Sequence, residues 1–271
     1  MMLTGNTITK LQEMHLTVMA NALKEQLSDA NMNSLSFEDR IGLLVDREWT
    51  SRKNNHLKRL IRNAGLSDPN ACVENIEYHS DRNLDKSQIA RLSTCNYITD
   101  HRNVMLLGAT GSGKTYLACA LGMSAARNFM SVKYVRLPEL LVELSIARNN
   151  GTFLKAMQQF KKPALLIIDE WLLYPLKETE ARDLLEIAEA RYKKASTIFC
   201  SQFDIPGYLP KLVLKGFRTS LFHLHFRKGF FFTIKAVIVI VLADRACKSV
   251  FKALLSKIFR HFIKVTLTAA V

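Results

Sequence analysis

The sequence predicts an α/β fold, a parallel sheet flanked by helices and preceded by a small helical N-terminal domain. Three observations carry that prediction. From about residue 100, short, fully apolar runs alternate with amphipathic helical stretches, the pattern of βαβ units whose strands are buried on both faces. The first of those runs leads through a glycine-rich loop into a helical stretch. Residues 1 to about 66 instead carry apolar positions at helical spacing.

Taken in order, Leu11, Met14, Val18, Leu23 and Leu27 mark the first helical region. Ser36 reads as the N-cap of the next helix, with Asp39 three residues on imitating a capping box. That helix runs through residues 37–63 and stops near Gly65, a residue suited to a helix C-terminus. The strands follow as NVMLLG (103–108), VKYV (132–135), ALLIID (164–169) and TIFCSQ (197–202). Between them lie the helical stretches YLACALGMSAARN (116–128), PELLVELSIA (138–147) and ETEARDLLEIAEARYKK (178–194).

The loop after the first strand is Gly108, Ala109, Thr110, Gly111, Ser112, Gly113, Lys114, Thr115, a match to GxxxxGK[ST] at every fixed position and in the required strand–loop–helix context. Gly111 and Gly113 permit backbone conformations in which successive N–H groups converge on a phosphate, and the following helix adds its positive end. Lys114 is placed to reach β- and γ-phosphates, and the Thr115 hydroxyl to ligate Mg²⁺. Fifty-five residues after Lys114, the third strand ends in Asp169 and Glu170. This reads as a Walker B element, with Asp169 holding Mg²⁺ through water and Glu170 polarising the attacking water as general base. ATP and Mg²⁺ are therefore the expected cofactors.

Composition narrows the class. The chain has 271 residues, 48% hydrophobic and 23% charged, which excludes a collagen-like or wholly disordered protein. Five cysteines without a CxxC pair suit neither a disulfide framework nor a zinc site and read as reduced thiols of a cytoplasmic protein. The N-terminal MMLTGNTITKLQ has no basic segment followed by an apolar run, so no secretory signal is expected. The longest apolar stretch, 229–243, is 15 residues interrupted by Lys235, too short for a membrane span, and no membrane partner is expected.

Charge is unevenly placed. The net charge is +14, but residues 1–206 carry 26 Lys and Arg against 23 acids, while residues 207–271 carry 12 against one, Asp244. Within the first part, residues 47–62 set Arg47, Arg52, Lys53, Lys58, Arg59 and Arg62 against Glu48 alone, a local +5 on a helix. This reads either as a solvated face anchored by Trp49, Leu57, Leu60 and Ile61, or as a surface that contacts nucleic-acid phosphates.

With these motifs in hand, the chain resembles the IstB-like ATP-binding helper proteins of insertion-sequence transposition, relatives of DnaC-type helicase loaders among AAA+ ATPases. The resemblance spans about residues 1–207 and rests on LLGATGSGKTYLACALG (106–122), YVRLPELLVEL (134–144), LLIIDEWLLYPL (165–176), EARDLLEIAEARYKKASTIFCSQFD (180–204) and RKNNHLKRLIRNAGL (52–66). It implies a P-loop NTPase of AAA+ type with the fourth predicted strand between the first and third. At the end of that strand Ser201 and Gln202 would sense the γ-phosphate, although a short polar loop after a strand is also the ordinary case. It further implies an ATPase that homo-oligomerises on duplex DNA when ATP is bound and delivers target DNA to the transposase of the same element. The basic 47–62 helix then gains weight as a DNA contact, and residues 78–100 as the supplier of adenine contacts. The expected domains are 1–66, helical and DNA-contacting; 67–206, the ATP-binding core; and 207–271, a divergent tail.

The tail departs from the family pattern. Nine of the chain's 15 Phe fall in residues 207–271 beside the single acid, a composition that a shifted reading frame produces. The competing reading is a genuine subdomain, with FFFTIKAVIVIVL (230–242) as a buried strand and residues 249–264 as a basic amphipathic helix. In either case Arg218, Arg227 and Arg245 cannot be assigned the trans-acting arginine role of this family. Two other functions share the core: a replicative helicase loader, and an inactive remnant that binds nucleotide without turnover.

Overall fold

The computed structural model describes residues 2–78, 84–174, 176–202, 230–231 and 237–241. The chain divides into two compact units, Met1–Arg59 and Leu60–Val271.

The first unit is helical: α1 (Met2–Glu13), α2 (Thr17–Ser28), a 3₁₀ turn (Ala30–Ser34) and α3 (Phe37–Ala64), whose last turn belongs to the second unit. The helical pattern from Leu11 to Leu27 is broken at His15, which adopts φ 59°. Its N–H bonds the Gln12 carbonyl at 2.9 Å and the Leu16 N–H returns to the Leu11 carbonyl at 2.8 Å, the paired bonds of a Schellman motif with histidine in place of glycine. Leu11, Ala20, Ala22 and Leu44 are buried, and buried Glu48 accepts the Met19 N–H at 3.0 Å and the Arg52 Nε at 2.7 Å. The Ser36 hydroxyl caps α3 by accepting the Asp39 N–H at 3.1 Å and donates to the Asp39 carboxylate at 2.7 Å. Gly65 ends α3 at φ 60°. Trp49 does not anchor the helix: it is 60% exposed, with the Lys53 ammonium 5.3 Å from its ring centroid.

The second unit is built on a sheet. In chain order come α4 (Lys86–Ser93), α5 (Asn96–Thr99), β1 (Val104–Gly108), α6 (Lys114–Arg127), β2 (Val132–Arg136), α7 (Leu137–Asn149), α8 (Phe153–Lys161), β3 (Leu165–Asp169), α9 (Glu178–Arg191) and β4 (Ser196–Ser201). Two strands from the tail follow, β5 (Phe230–Phe231) and β6 (Val237–Val241). The sheet order is β2-β3-β4-β1-β6-β5, so the fourth predicted strand does lie between the first and third. The first four strands are parallel, while β6 joins β1 antiparallel and β5 joins β6 antiparallel. The stretch read as one tail strand is thus two; the 249–264 helix and Arg218, Arg227 and Arg245 lie outside the described residues.

Alternation along each strand divides the core between two faces. Val104, Leu106, Leu165, Ile167, Ile198 and Cys200 pack with α4 and α6, whereas Met105, Leu107, Leu166, Ile168 and Phe199 pack with α7, α8 and α9. Helix α8 is absent from the sequence reading, yet Ala156, Met157 and Phe160 bury one face of it at helical spacing. Gly122 lets α6 lie close to the sheet, because a Cβ there would stand 2.8 Å from Ile167 Cδ1.

Arg191, at the end of α9, is buried and among the described residues has no carboxylate partner. Its guanidinium donates to the carbonyls of Phe160, Lys161, Pro163 and Ser196 and, at 3.0 Å, to Thr197 Oγ1. Burial pushes its pKa down to about 10, so it stays charged at neutral pH. The guanidinium therefore ties α8 and α9 to the start of β4. Arg191→Met removes the donor from four carbonyls, two of these contacts buried and two part-buried, and since each buried unpaired acceptor costs about 1–3 kcal/mol, partly offset by removing a buried charge, a net loss of about 3 kcal/mol is expected in urea unfolding. A variant as stable as the parent would show that these contacts hold nothing together.

Candidate functional site

The site forms where β1, β3 and β4 end on the same edge of the sheet. Parallel strands align their C-terminal ends, and the loops leaving them converge there. Residues Ala109 to Gly113 form the loop from β1 into α6, which begins at Lys114, two residues earlier than its apolar pattern indicates. Gly111 and Gly113 take φ 79° and 85°. A Cβ at either glycine would meet nothing within 4 Å, so the constraint is backbone conformation and not space. Gly113 provides no side-chain cap, which leaves the first N–H groups of α6 facing the loop with the helix dipole behind them.

The Lys114 ammonium folds back over this loop, donating to the carbonyls of Gly108 at 2.8 Å and Ala109 at 2.6 Å and lying 3.4 Å from Ser112 Oγ. The side chain is buried, and burial lowers its pKa below the ordinary lysine value against the opposing pull of Cys200 and Asp169. The loop is therefore preformed around a cation.

Asp169 lies at the end of β3, buried, and three donors engage its carboxylate. Oδ2 accepts from Thr115 Oγ1 at 2.7 Å and from the Tyr134 hydroxyl at 2.9 Å, while Oδ1 accepts the Glu170 N–H at 2.8 Å. Burial first, then the Asp169 charge, raises the Tyr134 phenol well above its ordinary value, so it remains a donor. A hydroxyl and a carboxylate meeting beside a lysine and a helix N-terminus are the donor set of a Mg²⁺–nucleotide site, and the residues present fit that cation.

Glu170 and Leu172 take positive φ, 54° and 53°, at the turn leaving β3. Glu170 is paired with Arg136 at 2.5 Å, and Arg136 also meets Glu139 at 3.3 Å. Ser201 is buried, and its hydroxyl donates to the Trp171 carbonyl at 3.0 Å; the Trp171 N–H in turn bonds the Cys200 carbonyl at 2.8 Å. Ser201 thus ties β4 to the loop after Glu170, and Gln202 beside it is exposed. A cavity of about 310 Å³ adjoins the loop, lined by Asn75, Ile76, Glu77, Leu84, Ser112, Gly113, Tyr116 and Leu117. Tyr134, Arg136 and the Asn75–Glu77 lining are the residues that sequence reasoning missed.

The six basic residues between positions 47 and 62 of α3 are all exposed but not equivalent. Arg47 pairs with Glu25, and Arg52 is held by Glu48 at 2.7 Å and the His15 carbonyl at 2.8 Å. Lys53 lies over Trp49. Among the described residues Lys58, Arg59 and Arg62 carry no ion pair.

The sheet order, the P-loop and the acids ending β3 define a P-loop NTPase of AAA+ type. More specifically, the chain belongs to the family of IstB-like ATP binding proteins, which it matches over residues 9–208. A protein of Pseudomonas fluorescens named for ATP binding in insertion sequence IS1162 is 42% identical over 201 residues, 74% of this chain and 87% of that protein. A similarly named insertion-sequence protein of Sinorhizobium fredii is 39% identical over 207 residues, 76% of this chain and 84% of that one. Among solved structures DnaI shares the fold at 19% identity and TM-score 0.50, over 62% of this chain and 87% of its own. The family match ends two residues beyond Pro206, where the charge composition also breaks.

Gly113 gives a direct check on the loop. A left-handed residue with a Cβ costs about 1–2 kcal/mol. Gly113→Ala is therefore expected to weaken binding of a fluorescent ATP analogue by about tenfold with the far-UV circular dichroism unchanged, and unaltered affinity would show that the loop does not set the site.

Proposed function

We propose that this chain is the ATPase of an insertion sequence: it binds Mg²⁺ and ATP in the P-loop site, associates with further copies of itself on duplex DNA, and delivers target DNA to the transposase of the same element. The observation that carries the reading is the meeting of Thr115 and Asp169 across 2.7 Å beside the buried Lys114. The names of its insertion-sequence relatives support the biological setting.

The roles follow from position. The N–H groups of residues 111–115 and the Lys114 ammonium bind the phosphates, and Thr115 and Asp169 hold Mg²⁺. When bound, that cation offsets charge on the phosphate oxygens. The purine and ribose enter the cavity lined by Asn75, Ile76, Glu77 and Tyr116. In hydrolysis a water oxygen bonds the γ-phosphorus, the bond to the β-phosphate bridging oxygen breaks with its electron pair leaving on ADP, and the water proton passes to Glu170. Because Glu170 is paired with Arg136, it must leave that partner to face the water. Ser201 ties β4 to the loop after Glu170, and with Gln202 beside it forms the strand end that senses the γ-phosphate.

Residues 1–66 are the proposed DNA-contacting domain, 67–206 the ATP-binding core and 207–271 a tail outside the family pattern. Among the described residues no helix is long and apolar enough to cross a membrane. Of the basic residues, Lys58, Arg59 and Arg62 are free for phosphates, whereas Arg47 and Arg52 must first release Glu25 and Glu48.

Turnover measured with and without duplex DNA, with Lys114→Ala as the blank, tests the enzyme. Glu170→Gln is expected to bind ATP normally while hydrolysing it at least about 100-fold more slowly. Full turnover in that variant would remove Glu170 from the mechanism, and parent turnover equal to the blank would leave a nucleotide-binding remnant.

DNA contact has its own readout. Each phosphate contact contributes about 0.9 to the slope of log K against log salt, so Lys58→Ala with Arg59→Ala is expected to lower that slope by about two while sparing ATP affinity. An unchanged slope would place the DNA surface elsewhere.

A further inference from the structure

We propose that Tyr134 is a positioning residue for the Mg²⁺ site: its hydroxyl fixes the Asp169 carboxylate in the orientation that receives the cation. The proposal rests on the reading of this site as one for Mg²⁺ and nucleotide.

The argument starts from strand register. β2 pairs parallel with β3 so that Tyr134 stands opposite Ile167 and Arg136 opposite Asp169. Side chains two apart share a strand face, so Tyr134 and Arg136 lie together on β2 and Ile167 and Asp169 together on β3. From that one face β2 holds both acids: Tyr134 donates to Asp169 at 2.9 Å and Arg136 to Glu170 at 2.5 Å. Tyr134 packs in the core beneath α6, so its ring cannot follow a moving carboxylate and its hydroxyl acts from a fixed point.

Its companion donor on Asp169 Oδ2 is different in kind. Thr115 is itself a candidate Mg²⁺ ligand, and a hydroxyl that turns its lone pair to a cation changes its relation to Asp169. Tyr134 is outside that ligand set and supplies the contact that stays. The Glu170 N–H on Oδ1 restrains the other oxygen, so the two together define the carboxylate plane. Groups that orient a metal-holding carboxylate in this way typically account for about 10- to 100-fold in metal affinity.

The test is a Mg²⁺ titration of fluorescent ATP-analogue binding by the full chain. Tyr134→Phe keeps the ring and removes the oxygen. We expect its nucleotide affinity in EDTA to match the parent within about twofold, and its half-saturating Mg²⁺ concentration to rise about tenfold. Val132→Ala serves as the packing control, since it removes buried volume from the same face of β2 without touching the carboxylate. It is expected to lower the melting temperature and leave the Mg²⁺ titration where the parent has it. A Tyr134→Phe titration that overlays the parent overturns the proposal, as does a Val132→Ala titration shifted as far as that of Tyr134→Phe, which would assign the effect to packing. A parent whose nucleotide binding ignores Mg²⁺ overturns the underlying reading of the site together with the inference.

Discussion

A buried carboxylate is the constraint around which the second unit is arranged. Asp169 ends a strand whose preceding residues are almost wholly withdrawn from water, and an ionised group there is costly unless hydrogen bonds compensate it. Three donors do so, one each from α6, β2 and the chain immediately after β3. Lys114 adds a nearby positive charge. Elements far apart in sequence are thus tied through one side chain, and their relative positions are the geometry that a phosphate and its cation require.

The loop after β3 shows how that arrangement reaches the proposed general base. Positive φ at Glu170 and Leu172 is unfavourable for residues with a Cβ and persists only where the surroundings enforce it. Enforcement comes from β4, through the Trp171 N–H to the Cys200 carbonyl and the Ser201 hydroxyl to the Trp171 carbonyl, and from the Arg136 pair on Glu170. The first is a backbone contact, the second a buried side chain–backbone bond, and the third a charge pair nearer to solvent. The charge pair is the weaker restraint, because water and salt compete for exposed ions. The backbone turn therefore stays fixed while the Glu170 side chain is the part free to change partners.

How much of this was legible in sequence depends on whether a role is local. The P-loop and the acids ending β3 are contiguous patterns with a chemical reason for each position, and the strands are apolar runs bounded by polar residues. The Ser36 cap and the Gly65 stop likewise need only near neighbours. Tyr134 and Arg136 were invisible because their function exists only once β2 is set in register against β3. His15 broke a helix that periodicity ran through, since histidine carries no strong terminating signal and the Schellman bonds are made by the backbone alone. Helix α8 was passed over because it is only nine residues long, although Phe153, Ala156, Met157 and Phe160 stand at helical spacing along it. Arg191 reads in sequence as one more surface cation at a helix end, and only the tertiary fold encloses it among carbonyls.

The same distinction applies to charge. A net of +14 suggests a nucleic-acid partner, yet 12 of the 38 Lys and Arg lie beyond Pro206 with a single acid, outside the family match that ends at residue 208. Counting charge on α3 also overstates the case, because Arg47 and Arg52 already neutralise Glu25 and Glu48, and Lys53 is laid over Trp49. What remains is a short run near the C-terminal end of the helix, where cations are also favoured by the helix dipole whether or not DNA is present. Arg62 lies in the last turn, where that dipole favours a cation. Lys58 and Arg59 lie further back, where the dipole contributes little, and among the described residues neither carries an ion pair. Lys58 and Arg62, four positions apart on the exposed helix, are like charges that repel, and a phosphate backbone relieves that repulsion while releasing its own counterions. The electrostatic argument for DNA therefore rests on Lys58 and Arg59 more than on the isoelectric point of the chain.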